Sequence, residues 1–356
     1  MSDLRVLHVS PTWFGDESVR GGGERYPLEL ASAMLRRTPT RLVSFGDRPG
    51  RRRVAGFDIE VQRTWRQLRG RPYDAIGPGF LGALAWANIV HCHQARSGLT
   101  GLSALIGRPL GKRVFVTDHG GGGVNWVRRL RIGRWINAQL AQSEFAAATL
   151  PYVGRRVEVI YAGVDTDKYS PGSEKTPGRV VFVGRLLPHK GIENAIRGLP
   201  AGASLEIYGR PYDTRYLEFL RSETASRPVR IHTEASDDEV IAAMRSACAF
   251  VMPSVYEDYR GRRQTLPELV GLAPLEAMAC GTVAVVSDVA GMPEIIPPVG
   301  GIIVPPSDPE RLRHALAALT ASIEQAWMQG TAAREHVVSR FTWSAVADRC
   351  LATYTA

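Results

Sequence analysis

The 356-residue chain, with 44% hydrophobic and 22% charged residues, has the composition of a folded globular protein and is too long for one typical core, which implies two domains. Its net charge of +9 is unevenly placed: residues 1–160 hold 24 Lys and Arg against 12 Asp and Glu, and the remainder holds 20 against 23. That asymmetry points to an anionic partner for the first half, although only four of the 44 basic residues are lysines and part of the excess reads as arginine bias.

In chain order, the N-terminus MSDLRVLHVS lacks the pattern of a signal peptide. Apolar runs then predict buried parallel strands at 4–10, 40–46, 87–93, 113–119 and 156–163. IGPGFLGALAWA (76–87) is the longest greasy stretch and is too short to cross a bilayer as a helix. A second series of strands falls at 179–185, 204–210, 229–234, 249–254, 282–288 and 300–306. Helical segments lie between them, among them ERYPLELASAMLRR and DDEVIAAMRSA, the latter with Ser236 and Glu239 at capping-box spacing. The polar stretch DTDKYSPGSEKTPGR (165–179) separates the two series and reads as a linker. Strand–helix alternation of this kind predicts an α/β protein of two Rossmann-like domains facing across a cleft. The expected division is 1–164, 165–335 and a closing helix over 336–356 that returns to the N-terminal domain. The four cysteines (Cys92, Cys248, Cys280, Cys350) lack C-x-x-C spacing and are expected as reduced thiols in a cytoplasmic protein.

Ligands of such sheets bind at the carboxyl ends of strands. There, VGRLLPHKGIENAIRGL (183–199) places Arg185 and Lys190 beside a helix N-terminus, the makings of a diphosphate site. PELVGLAPLEAMACG (267–281) carries Glu268 and Glu276 eight positions apart, with a helix expected from near Leu275 and Glu276 in its first turn. Amides around Leu272 and Ala273 suit phosphate oxygens, and the carboxylates suit sugar hydroxyls.

These motifs resemble the family-4 retaining glycosyltransferases of the GT-B fold. The resemblance extends through RGGGERYPLELASAML (20–35), IYAGVDTDKYSP (160–171), ASDDEVIAAMRSACAFVMPS (235–254) and FTWSAVADRCLATY (341–354). It implies that Arg185 and Lys190 hold the diphosphate of a nucleotide sugar, completed by the Leu272 and Ala273 amides. Glu276 would bind the ribose and Glu268 the transferred sugar. Gly22 and Gly23 would approach the diphosphate, and His119 of VFVTDHG would contact the donor sugar and support the transition state. The implied catalytic set is thus His119, Arg185, Lys190 and Glu268, with the nucleotide sugar as co-substrate and no metal cofactor. VYEDYRGRRQTLP (255–267) is longer than the family spacing and makes Glu257 a rival to Glu268. Glu268 keeps the seven-residue interval to Glu276. The extra Arg and Tyr residues suit either an acceptor contact or a surface excursion.

Other patterns carry less. GPGFLG (77–82) has no strand predicted before it, and the His119-Gly120-Gly121-Gly122 run lacks a G-x-S-x-G partner. Asp165-Thr166-Asp167 has the form of a metal motif but suits a turn. In His91-Cys92-His93 neighbours aim to opposite faces, which reads as an ordinary strand end, with His93 able to line the acceptor side. NWVRRLRIGRWINAQL (125–140) reads as a basic, tryptophan-bearing helix, suited to anionic lipid or to a core position with a solvated arginine face. No nucleic-acid-binding fold accompanies the charge. The expected function is transfer of a hexose, UDP- or GDP-linked, to a saccharide or lipid-linked acceptor in cell-envelope or exopolysaccharide synthesis, in the cytoplasm or at the inner face of the membrane. The rivals are a soluble transferase acting on a small metabolite or aglycone, and a non-catalytic scaffold of the same fold.

Overall fold

The computed structural model describes residues 4–11, 22–46, 48–67, 75–120, 131–150 and 154–356. The chain divides into two compact units, residues 1–163 with 343–356, and residues 164–342.

The first unit is built on β1 (Val6–Val9), α1 (Gly22–Leu35), β2 (Thr40–Gly46), β3 (Gly50–Val54), β4 (Phe57–Arg63), β5 (Arg66–Gln67) and β6 (Ala75–Ile76). There follow α2 (Phe80–Trp86), β7 (Ile89–His93), α3 (Gly98–Gly107), β8 (Arg113–Thr117), β9 (Ala138–Ala141), α4 (Glu144–Thr149) and β10 (Val157–Val159). Eight strands form one sheet in the order β10-β9-β8-β7-β1-β2-β4-β3, parallel except where the edge strand β3 meets β4. β1 lies between β2 and β7, so the strand order reverses at the β1–β7 border. Valines, leucines and isoleucines of the central strands are fully buried, as strands covered on both faces require.

The second unit contains β11 (Arg179–Val183), α5 (Ile192–Arg197), β12 (Ser204–Tyr208), α6 (Thr214–Thr224), β13 (Val229–His232), α7 (Asp237–Ser246) and β14 (Ala249–Met252). It continues with α8 (Leu272–Ala279), β15 (Val283–Ser287), β16 (Gly301–Val304), α9 (Pro309–Ala321) and α10 (Ile323–Arg340). Its sheet is wholly parallel in the order β13-β12-β11-β14-β15-β16, the doubly wound arrangement whose switch point lies between β11 and β14. The Ser236 capping box on α7 is formed on both sides. Asp165 Oδ1 accepts the Asp167 and Lys168 amides at 3.1 and 3.0 Å, so the D-x-D segment shapes a turn.

The last helix, α11 (Trp343–Thr355), belongs to the first unit. It starts later than the expected boundary at 336 because α10 continues to Arg340 within the second unit. Arg37, just past α1, clamps it through Asp348 and the Ser344 hydroxyl, 2.6 Å away. Trp343 stands edge-on to Tyr26 at 5.1 Å.

The expectation of a helix over 125–140 is corrected where it is described, residues 125–130 lying outside the described residues. Arg131 takes a positive φ of 52°, Ile132–Trp135 make a single 3-10 turn, and Ala138–Ala141 is β9, parallel to β8. Ile132 and Ile136 are drawn into the core against α3, so packing rather than arginine periodicity sets the local structure. All four cysteines are buried free thiols. Among the described residues no helix is long and apolar enough to cross a membrane.

Candidate active site

At the switch point of the second unit, β11 ends at Val183, and the chain passes Arg185 before a 3-10 turn, Pro188–Lys190. Gly191 then adopts φ 59°, and a Cβ there would overlap the Pro253 carbonyl oxygen. Only glycine permits this turn so close to the end of β14. The Val255 amide donates to the His189 carbonyl at 2.9 Å, tying the loops after β11 and β14 together.

This approach brings Lys190 to Glu268. Lys190 Nζ is paired with Glu268 Oε1, and the same oxygen accepts from the Ser254 hydroxyl at 3.1 Å. The two side chains are only 9% and 11% exposed, a nearly desolvated ion pair. Glu257, the rival carboxylate, is instead exposed and 3.5 Å from Arg263. The 255–267 segment around it is pinned to the second unit. Tyr259 stacks on Phe219 at 4.2 Å, Arg260 meets Asp213 at 3.2 Å, and the Tyr256 hydroxyl accepts the Ala290 amide at 2.8 Å. Glu268 is therefore the carboxylate at Lys190, and the longer spacing is absorbed by a stapled loop.

Gly271, with φ 88°, ends the loop, and α8 begins at Leu272 rather than near Leu275. Leu272 and Ala273 thus contribute the first two amides of a helix whose N-cap residue, Gly271, has no side chain to cap them. Glu276 falls one turn further in than expected and is buried at 5% exposure. Arg185 is exposed, with its guanidinium carbon 5.9 Å from the Tyr212 ring centroid. The geometry thus joins Lys190 and Glu268 directly, places the α8 amides just beyond Glu268 in the chain, and leaves Arg185 on Tyr212. His189, which the motif reading passed over, is held neutral: burial first, then Lys190 and Arg185, bring its pKa down to about 4 against the opposing pull of Glu268 and Asp258.

In the first unit the corresponding switch point carries histidines. His8 on β1 sits opposite His91 on β7, and His93 shares its face two residues on, while Cys92 points to the core on the other side. The His91 and His93 rings stack at 4.5 Å, and His119, after β8, stacks on His93 at 5.7 Å. His8 Nδ1 lies 2.9 Å from His93 Nε2, His93 Nδ1 lies 3.4 Å from His119 Nε2, and His119 Nδ1 lies 2.6 Å from Gln142 Nε2. His91 Nε2 meets the Thr117 hydroxyl at 2.9 Å and its Nδ1 the Tyr354 hydroxyl at 2.6 Å. One nitrogen from each of His8, His91 and His93 falls within 4.8 Å of the others, close enough to share a cation, but the bonds just given engage both nitrogens of His91 and His93. Burial lowers all four imidazoles, His8 to about 3, His119 to about 4, and His91 and His93 well below the ordinary value. Gly22 and Gly23 open α1, one turn before Tyr26, whose ring stands 5.0 Å from His119. A Cβ on Gly23 would meet no described atom within 4 Å, so packing alone does not demand glycine there.

Family comparison gives two adjoining matches. "Glycosyltransferase Family 4" matches residues 20–168 and "Glycosyl transferases group 1" matches residues 164–336. The chain belongs to the family-4 glycosyltransferases of the GT-B fold. It is 27% identical over 318 residues to alpha-maltose-1-phosphate synthase of Mycolicibacterium smegmatis, covering 75% of this chain and 79% of that protein. It is 28% identical over 333 residues to the GDP-mannose:cellobiosyl-diphosphopolyprenol alpha-mannosyltransferase of Xanthomonas oryzae pv. oryzae, covering 85% of this chain and 83% of that protein. Sucrose-phosphate synthase from Thermosynechococcus elongatus shares the fold, with a TM-score of 0.72 at 20% identity over 99% of this chain and 98% of the other. Anabaena HepE, crystallised with UDP and glucose, does so with a TM-score of 0.71 at 15% identity over 99% of each chain. The family-4 chain described here is a glycosyltransferase working from a nucleotide sugar.

Proposed function

We propose that the enzyme transfers a hexose with retention of configuration from a UDP- or GDP-sugar to a saccharide or lipid-linked acceptor in cell-envelope or exopolysaccharide synthesis. The observation that carries this reading is the Lys190–Glu268 pair, with Glu268 four residues ahead of the glycine-capped start of α8, at the switch point of a doubly wound sheet. Lys190, Arg185 and the Leu272 and Ala273 amides hold the diphosphate. Lys190 has three N–H donors, so it can keep Glu268 while it donates to phosphate. Glu268 then faces the hydroxyls of the transferred sugar, and Glu276 takes the ribose diol.

Cleavage of the sugar–phosphate bond builds positive charge on the sugar and negative charge on the leaving diphosphate. Fixed positive groups at the phosphates stabilise that leaving group in the role a metal fills elsewhere, and one such donor is typically worth about a hundredfold or more in rate. In the first unit, His119 is assigned to the donor sugar, and Gly22 and Gly23 to the diphosphate. The acceptor attacks on the face the diphosphate leaves, with a phosphate oxygen taking its proton.

The lipid-linked acceptor draws support from the Xanthomonas relative, whose name specifies a cellobiosyl-diphosphopolyprenol substrate, and from the basic first half. That half would seat a cytoplasmic enzyme against anionic lipid at the membrane's inner face. Calorimetry with UDP, GDP, ADP and dTDP sugars tests the donor assignment, and failure of all four to bind at millimolar concentration would sink it. Salt-dependent co-sedimentation with anionic liposomes tests the membrane reading, which unchanged binding to neutral liposomes would refute.

A further inference from the structure

We infer that Gln142 sets the position of the proton on His119, through a one-directional hydrogen-bonded chain Gln142–His119–His93–His8, and is thereby a positioning residue for transfer. The inference rests on the assignment of His119 to the donor sugar, but its structural half can be tested without it.

A neutral imidazole has one N–H and one acceptor nitrogen. Wherever both nitrogens are hydrogen-bonded, the direction of one bond dictates the direction of the other. His119 and His93 are both in this position. With the Gln142 amide oriented as placed, its nitrogen faces His119 Nδ1 at 2.6 Å and can only donate, and this assignment makes His119 Nδ1 an acceptor and puts its proton on Nε2. That proton points to His93 Nδ1, which puts the His93 proton on Nε2, aimed at His8 Nδ1. His8 is left with its proton on Nε2, a buried nitrogen with no hydrogen-bond partner among the described residues. The chain therefore has an organised end at Gln142 and a loose end at His8.

Protonation cannot easily blur this order. The depressed basicity of His8, His93 and His119 keeps each ring neutral at physiological pH. Among the described residues, the groups facing His119 add no full charge of their own. They are the Tyr26 ring from α1, His93 and the Gln94 amide from β7 and its following loop, and Gln142 beyond β9. Its chain neighbour Asp118 is buried, accepts the Gly120 amide at 2.9 Å and has Arg96 as its charged neighbour.

The two bonds of His119 are unequal. The contact to Gln142 is short, and the contact to His93, at 3.4 Å, is at the limit of a hydrogen bond. The Nε2–H can therefore exchange the weak His93 acceptor for a sugar oxygen while the strong bond keeps the ring oriented. Were the proton on Nδ1, Nε2 would present a lone pair to that oxygen, and donation would be lost. Third-group control of a catalytic imidazole is known to matter: a wrong tautomer can cost about 10⁴ in turnover where histidine is the base. Here the histidine donates to a hydroxyl, so the expected loss is smaller, about 10–100-fold.

The test begins with the unmodified full-length protein. Long-range ¹H–¹⁵N correlation of the histidine side chains near pH 7.5, assigned by single His→Asn variants, should show His119, His93 and His8 with the proton on Nε2. A proton on Nδ1 of His119 overturns the inference. Gln142→Glu supplies a carboxylate that can only accept, and should move the His119 proton to Nδ1 and raise the ring's pKa. In this variant kcat for the nucleotide sugar that turns over should fall about 10–100-fold near neutral pH, with UDP or GDP affinity unchanged and part of the loss recovered as pH falls through the raised pKa, where the imidazolium again carries a proton on Nε2. Gln142→Met, which removes the bond without reversing it, should lose less. Full activity of a Gln142→Glu enzyme that carries the reversed tautomer would refute the positioning role. Full activity of His119→Ala would instead remove the assigned role of His119, leaving the tautomer order standing.

Discussion

Removing Lys190 should do two separable things, and their sizes follow from its surroundings. Its partner Glu268 is about nine-tenths covered, and with Lys190→Ala the carboxylate keeps the Ser254 hydroxyl at 3.1 Å as its named side-chain donor. Breaking a buried pair from one side costs about 3–5 kcal/mol, and the residual exposure of both groups places this pair near 3. For a unit the size of residues 164–342, that loss lowers the melting temperature by about 6–12 °C. Lys190→Ala/Glu268→Ala removes both charges, so it should fall short of the summed single effects by about 1–3 kcal/mol. Donor binding behaves differently. A charge-assisted bond from Lys190 to phosphate is worth about 1.5–3 kcal/mol, so UDP or GDP affinity should drop about 10–100-fold in Lys190→Ala and stay low in the double variant. Urea unfolding of the four proteins in the cycle measures the first effect and calorimetry the second. Additive stabilities would show that the pair is not a desolvated one. Unchanged nucleotide affinity would remove Lys190 from the diphosphate site.

Gly191→Ala should weaken both stability and nucleotide binding, since the residue would need φ near 59° with its Cβ against the Pro253 carbonyl; a variant with the parent's melting temperature and UDP or GDP affinity would contradict this. Tyr216→Phe should cost about 1–3 kcal/mol in urea unfolding, because the hydroxyl donates to buried Glu193 at 2.6 Å and accepts the Ile192 amide at 3.0 Å. The first unit should lose stability in acid. His8 and His119, lowered to about 3 and about 4 when folded, stabilise the fold above their unfolded value of 6.5, and that contribution is lost as pH falls toward the folded values. Each contributes a slope of about 1.4 kcal/mol per pH unit between those limits, so His8→Gln should reduce the pH slope of unfolding by one proton, and an unchanged slope would show that His8 is not buried neutral.

The parallel strands of both units were legible because strands buried on two faces must be apolar along their length, as in RVVFV and TVAVVSD. The edge hairpin β3–β4 was not, since GRRRV carries the polar pattern of a strand half-open to water. The 125–140 segment misled for a related reason: its arginines and tryptophans suggested a helical face, while Ile132 and Ile136 answered to the core of the sheet. At the site, the interval between Glu268 and Glu276 favoured the carboxylate that the fold pairs with Lys190, but the same motif placed the start of α8 three residues late. Helix ends depend on caps and turns that periodicity does not report.

Taken alone, the order of residues determined which segments become strands, where the glycines permit sharp turns, and which charged groups stand at strand ends. Those are properties of neighbours in the chain. Whether Lys190 meets Glu268 or Glu257 was decided by the packing of the β11 and β14 loops, and the meeting of His8 with His91 and His93 by β1 and β7 being adjacent in the sheet. Partners separated by some eighty positions are chosen by strand order and by the burial of polar groups that must find one another, and that choice exists only in the folded chain.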